Sequence, residues 1–131
     1  EGPGRFRGGF GSIKDYRMLT EVELQVPGDR TKLPPFGLLN GKNGSTTAYV
    51  RIRDGKETPL RTKHSYTMEK GDTLSVRTSG GGGLGDPAGR DAAAVALDVA
   101  EGYISHDRAE IEYGVAIDVT NAYASTDRAD K

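Results

Sequence analysis

The chain contains no cysteine, which excludes disulfide bonds and thiolate metal sites and fits an unstapled intracellular protein. Tryptophan is absent as well, and hydrophobic residues reach only 34% of the total, below the usual globular share. No apolar run approaches the ~20 residues that a membrane-spanning helix needs. No signal-peptide pattern opens the sequence either. Excess charge of one sign is also missing: 18 Lys and Arg stand against 19 Asp and Glu, for a formal net charge of -1. That balance gives no basis for the strong, salt-sensitive attraction to phosphate of a nucleic-acid binder. The expected location is cytoplasmic, with neither nucleic acid nor membrane as partner. Glu1 in place of a start methionine reads as the mark of a processed or excised part of something longer.

What the sequence does have is glycine. With 19 Gly and 6 Pro in 131 residues, turns and irregular backbone are plentiful, so many short elements and few long helices are expected in a single domain. Charge is unevenly placed: residues 1–90 carry 15 basic and 10 acidic side chains, and residues 91–131 carry 3 and 9. An acidic helical tail against a basic body accounts for this distribution.

Phe6 to Val26 reads as extended, bent at Gly8-Gly9, with Val22, Leu24 and Val26 alternating at the period of a half-buried strand. Residues 27–46 hold Pro27, Pro34, Pro35 and four glycines, which excludes a helix or central strand. A loop of this length is more often functional or interfacial than idle. "TAYVRIR" then alternates, Asp54-Gly55 supplies a tight hairpin turn, and an edge strand follows over Lys56–Arg61, since Pro59 cannot donate to a ladder. Lys70-Gly71-Asp72 reads as another turn before the strand "TLSVRT". Beyond the glycines the period changes to helical. Asp91 and Ser105 stand as N-caps, Gly102 and Gly114 as terminators, and Val95 and Val99 share one face. "VAIDV" reads as a short closing strand, followed from Thr120 by a polar tail. These elements define an α+β fold: a mainly antiparallel β sandwich or barrel-like body over residues 1–87, with a helical hairpin over 88–131.

The block "TSGGGGLGDP", residues 78–87, carries the most specific pattern. Gly80, Gly82 and Gly85 satisfy G-x-G-x-x-G, but so many glycines meet that template cheaply, and the preceding strands look like hairpins rather than a parallel βαβ unit. The alternative is structural: consecutive glycines permit positive φ and close approach of main chain. Asp86 and Arg90, four apart, are spaced to pair across the turn into the helix. His64 and His106 have no spaced His or Cys partner and read as structural or solvated. Arg51, Arg53 and Arg61 could hold an anion, although charges on an open sheet face are ordinary.

In order, "RFRGGFG", "YRML", "PPFGLLNGKNG", "GDTLSVRTSGGGGLGDPAGRD" and "VALDVAEGYIS" running on to "YGV" resemble the C-terminal region of the hydantoinase B / 5-oxoprolinase family, from about Arg5 to Val115. This sequence departs from the family pattern at Ser79, Leu84, Asn40 and Asn43. The resemblance implies one end of a B-type subunit of an ATP-dependent cyclic-amide hydrolase, working in an oligomer. The expected partners are the remainder of that subunit, an A-type subunit that handles ATP, and a cyclic amide substrate. No cofactor is expected on this segment; ATP, with a divalent metal as a candidate, belongs to the full enzyme. No catalytic residue is identifiable. Gly80, Gly81, Gly82, Gly83, Gly85, Asp86 and Arg90, with Gly37 and Asn40 of the middle loop, are expected to shape a substrate site or an interface, and the glycine amides to offer hydrogen bonds to an anionic intermediate. Two alternatives stay open: an independent β-rich module binding a ligand or protein, and a fragment of a related ATP-dependent carboxylase subunit.

Overall fold

A computed structural model describes residues 1–117. Its strands are β1 (Ile13–Arg17), β2 (Val22–Val26), β3 (Ala48–Arg53), β4 (Lys56–Pro59), β5 (His64–Met68) and β6 (Thr73–Arg77). A 3-10 turn over Pro87–Gly89 leads into α1 (Ala92–Ala100) and α2 (His106–Tyr113). One sheet has four strands in the order β1-β6-β3-β4, and a second pairs β2 with β5. Every strand pairing is antiparallel. The fold is α+β, as expected, with a helical part following the sheets.

Val26 from β2, Met68 from β5, Leu74 from β6 and Leu60 after β4 form one buried cluster, with Leu24, Tyr66 and Val76 packed against it. The two sheets therefore share a core, in the manner of a sandwich, without closing into a barrel among the described residues. Asp54 and Gly55, at φ 50 and φ 74, turn β3 into β4 as a two-residue hairpin requires, and β4 lies at the sheet edge where Pro59 predicts it.

Two readings of the sequence need correction, and one strand was missing from it. The extended stretch from Phe6 is two strands, β1 and β2, assigned to different sheets. Strand β5 was not read from the sequence, because its alternation of Tyr66 and Met68 against exposed Ser65 and Thr67 is short; its pairing with β2, Val22 against Met68 through Val26 against His64, makes it a strand. Residues 115–117 of "VAIDV" are not in a strand; the rest of that segment and the polar tail lie outside the described residues.

Both helices start and stop at the caps named from sequence. Asp91 accepts a hydrogen bond from Ala93 N and Ser105 one from Arg108 N, satisfying amides that the first turn leaves free. Gly102 (φ 73) follows α1, and Gly114 (φ 68) ends α2 in the left-handed region. Val95, Ile104, Ala109 and Tyr113 form a second buried cluster between the helices.

Candidate functional site: a glycine bed with an apolar outer face

The glycines of residues 80–83 do not turn the chain. Of the five in the block, only Gly85 has positive φ, 75°. They are required because other main chain lies against them. Gly81 N donates to Gly9 O at 2.9 Å, and Gly2 N to Gly81 O at 2.8 Å. Gly83 N donates to Lys42 O at 2.9 Å, and Lys42 N to Pro3 O at 2.7 Å. Segments 1–11, 36–44 and 78–85 thus form a bed in which backbone replaces side chains as the packing material. A Cβ on Gly83 would run into the carbonyl of Pro3, one on Gly82 into that of Phe36, one on Gly41 into that of Gly83, and one on Gly37 into that of Gly41. Gly2, Gly4, Gly8, Gly80 and Gly83 are buried.

This arrangement bears on two chemical questions. Gly80 N is taken by Ser45 Oγ at 3.0 Å, and Gly81, Gly83, Leu84 and Gly85 donate to backbone carbonyls. Among the described residues only Gly82 N of this run has no acceptor, so most of the amides that could form an anion nest are engaged within the bed. The dinucleotide reading also fails, because β6 pairs antiparallel with both β1 and β3, and among the described residues no parallel βαβ unit surrounds the loop.

At the outer end of the bed, Phe6 and Leu84 exchange hydrogen bonds at 2.9 and 2.8 Å. Leu38 brackets Leu84 from the other side, donating to Gly83 O and accepting from Gly85 N, both at 2.9 Å. Residues bridged in this way project their side chains to one face. Phe6, Leu84 and Leu38 therefore form an apolar row, 61%, 40% and 56% exposed. Phe36 and Leu39 of the same loop are exposed too. Leu39 and Asn40 form the loop's turn at φ 48 and φ 68, and Asn43 Oδ1 holds Gly37 N at 3.0 Å.

Asp86 and Arg90 do not pair with each other. Asp86 Oδ1 caps the 3-10 turn through Ala88 N at 2.9 Å, which leaves Arg90 free to swing onto α1. There Arg90 Nη2 donates to Asp98 Oδ2 at 2.8 Å, while Arg7 holds the same carboxylate with Nε at 2.8 Å and Nη2 at 3.0 Å. Burial alone would push the Asp98 carboxyl up; the hydrogen bonds and charges of Arg7 and Arg90 hold it below its ordinary value. The Arg7 guanidinium also lies 4.2 Å from the Phe10 ring, which stacks on Tyr103 at 4.9 Å. Asp98 was not singled out from sequence: it sits at i+3 from Val95 on the apolar side of α1, where an acid signals a buried partner. Lys42–Glu112 and Arg108–Glu1 pairs, at 2.6 and 3.0 Å, complete the links between body and helices. Burial and the charge of Glu1 push the Tyr113 hydroxyl up to about 12.

The other sequence candidates lie apart from the bed. Arg53 is occupied, gripping Asp72 at 2.7 and 2.6 Å and Glu69 at 2.8 Å, so the face it shares with Arg51 is not an open anion site. His64 and His106 are exposed at the first positions of β5 and α2. Among the described residues no three His, Asp or Glu side chains converge to hold a metal ion, and no helix is long and apolar enough to cross a membrane.

Two small antiparallel sheets, a main-chain bed and a docked helical hairpin define an α+β module. Residues 1–87 match the Hydantoinase B/oxoprolinase family, and the chain belongs to that family. It is 38% identical over 114 residues to an uncharacterized protein of Methanocaldococcus jannaschii, covering 87% of this chain and 20% of the relative. It is 32% identical over 118 residues to a putative D-/L-hydantoinase component from a Pseudomonas species, covering 86% and 20%. The crystal structure of an ATP-dependent caprolactamase from Pseudomonas jessenii superimposes with a TM-score of 0.79 at 31% identity, over 90% of this chain and 21% of the other. The chain thus spans about a fifth of the length of these relatives.

Proposed function

We propose that this chain is the C-terminal region of a B-type subunit of an ATP-dependent cyclic-amide hydrolase, and that its glycine bed presents a wall to the rest of that subunit. The observation that carries this reading is the apolar row Phe6–Leu84–Leu38, exposed above a rigid main-chain bed. Contiguous apolar surface of this kind marks a contact site, and relatives five times as long supply the chain to cover it. Family membership and the likeness to a caprolactamase and a hydantoinase component support the reaction class. An unstrained lactam is a poor substrate for direct hydrolysis, because its nitrogen is a poor leaving group. Phosphoryl transfer from ATP to the amide oxygen activates the carbonyl carbon; water adds there, the C–N bond opens with the nitrogen taking a proton, and the acyl phosphate left behind is hydrolysed by a second water to carboxylate and phosphate. None of the residues described here is a candidate for the reacting groups, which belong to the rest of the B-type subunit and to a partner A-type subunit. The test is to assay ATP-dependent ring opening of hydantoin, caprolactam and 5-oxoproline with the 131-residue chain alone and with the complete assembly. Turnover only in the assembly is expected; ring opening by the chain alone would overturn the proposal.

A further inference from the structure

On the side of the molecule formed by the β2–β5 ladder's end, the segments 28–33 and 60–64 enclose a cleft of about 1020 Å³. Arg30, Lys32, Arg61, Lys63 and His64 line it, with Asp29 as the one acid. In a chain whose net charge is -1, this is a local concentration of positive charge, and none of its four Lys and Arg side chains is engaged in a salt bridge among the described residues.

Three of these cations stand on fixed backbone. Arg30 and Lys63 are left-handed at φ 60 and φ 61, an uncommon state for such residues that tends to persist where the surroundings impose it. Here the surroundings are Thr47, whose amide donates to Arg30 O at 2.9 Å, and Val26, whose carbonyl accepts from Lys63 N at 2.7 Å. Arg61 is clamped by the Tyr66 hydroxyl, which accepts from Arg61 N at 2.7 Å and donates to Arg61 O at 3.2 Å. Pre-set cations lose less freedom when a ligand arrives. The positive surface also stops at the cleft: along the adjoining ladder the paired exposed residues are Gln25 with Ser65 and Glu23 with Thr67. A long polyanion tracking the surface would need that stripe to continue.

We propose that this cleft binds a small oligophosphate, with two or more linked phosphoryl groups bridging Arg30, Arg61 and Lys63. The source is either inorganic oligophosphate or the phosphate tail of a nucleotide. No Phe, Tyr or Trp ring lines the cleft, so a base adds little and the two sources bind alike.

The experiment is isothermal titration calorimetry of the chain with tripolyphosphate, ATP, AMP and a glutamate-rich peptide at low ionic strength. Tripolyphosphate and ATP are expected to bind with similar submillimolar dissociation constants, AMP about tenfold or more weaker, since it lacks linked phosphoryl groups. The double variant Arg30→Asn/Lys63→Asn removes two charges while keeping a residue type that tolerates left-handed backbone, and is expected to weaken tripolyphosphate about tenfold. Circular dichroism checks that the variant keeps its fold, and a shift of the wild-type His64 imidazole resonances on adding tripolyphosphate reports the site independently of the variant. Unshifted His64, equal affinity in the double variant, or binding of the acidic peptide without tripolyphosphate would each overturn the proposal.

Discussion

Gly8 and Gly9 are neighbours in sequence and opposites in requirement. A Cβ on Gly8 would strike the Gly81 carbonyl, whereas one on Gly9 meets nothing within 4 Å, and neither residue has positive φ. Gly8→Ala is expected to reach or exceed the upper end of the ~1–3 kcal/mol typical of overpacking, because the obstructing atoms are backbone and cannot rotate away. Gly9→Ala should be neutral or stabilise by about 0.4–1 kcal/mol by narrowing the unfolded ensemble. Urea midpoints of the two variants measure this directly, and equal effects would mean that the bed is not close-packed. The sequence displayed the requirement for glycine without its reason. A run of glycines announces absent side chains, but whether positive φ or close approach demands them depends on the partners, and those lie 40 to 80 positions away in segments 1–11 and 36–44.

Of the carboxylates that fasten the helical hairpin to the body, Asp98 is the one held by two guanidinium groups. Asp98 has only 7% of its side chain exposed and holds both Arg7 and Arg90, so Asp98→Ala leaves two guanidinium groups without their buried anion. The expected cost is about 3–5 kcal/mol, read from denaturant unfolding, with faster amide exchange across α1. A loss no larger than that of Ala at exposed Glu101 would show that the hub contributes nothing. Between β5 and β6, hydrogen bonds from Arg53 and the Glu69 amide hold the Asp72 carboxyl down at about 2. Asp98 is depressed as well, so both groups bind protons more weakly folded than unfolded. The stability they contribute is complete above about pH 4 and is lost as pH falls toward 2. Thermal melts across that interval should show the decline, and Asp72→Asn should flatten it; an unchanged profile in the variant would remove Asp72 from the account. Most elements were legible because their signals are local. Val22, Leu24 and Val26 alternate, Asp54-Gly55 fits only a tight turn, and Asp91, Ser105 and Gly114 mark helix ends. Strand β5 was not, since Tyr66 and Met68 alternate with Ser65 and Thr67 over too few residues to stand out, and its identity comes from pairing with β2. The Arg90–Asp98 contact was missed for a related reason: spacing suggested Asp86, but capping the 3-10 turn had already engaged that carboxylate.

Among the described residues, the packing has two kinds of interior and, at the outer end of the bed, an apolar row left open. Val26, Leu60, Met68 and Leu74 fill the space between the sheets, and main chain fills the bed. The acidic helices settle against basic residues of the body, through Arg7 on Asp98 and Lys42 on Glu112, with Arg90 of the connecting segment sharing Asp98. At the outer end of the bed the row of Phe6, Leu84 and Leu38 is held at fixed spacing by four backbone hydrogen bonds and covered by nothing in the described residues. If that row meets the rest of the subunit, a charge placed in it should leave this chain intact yet prevent the contact. Leu84→Asp is the variant to make, because Leu84 is the central member and its side chain points away from the bed. The isolated chain should melt within about 1 kcal/mol of wild type, as exposed substitutions do. Its binding to the remaining part of the subunit, measured by co-purification and titration, should weaken by at least about 2 kcal/mol, the cost of truncating or charging a central interface residue. Leu97→Asp, on the exposed side of α1 and 60% exposed, serves as the comparison and should bind as wild type. Equal binding by both variants would place the contact elsewhere on the chain.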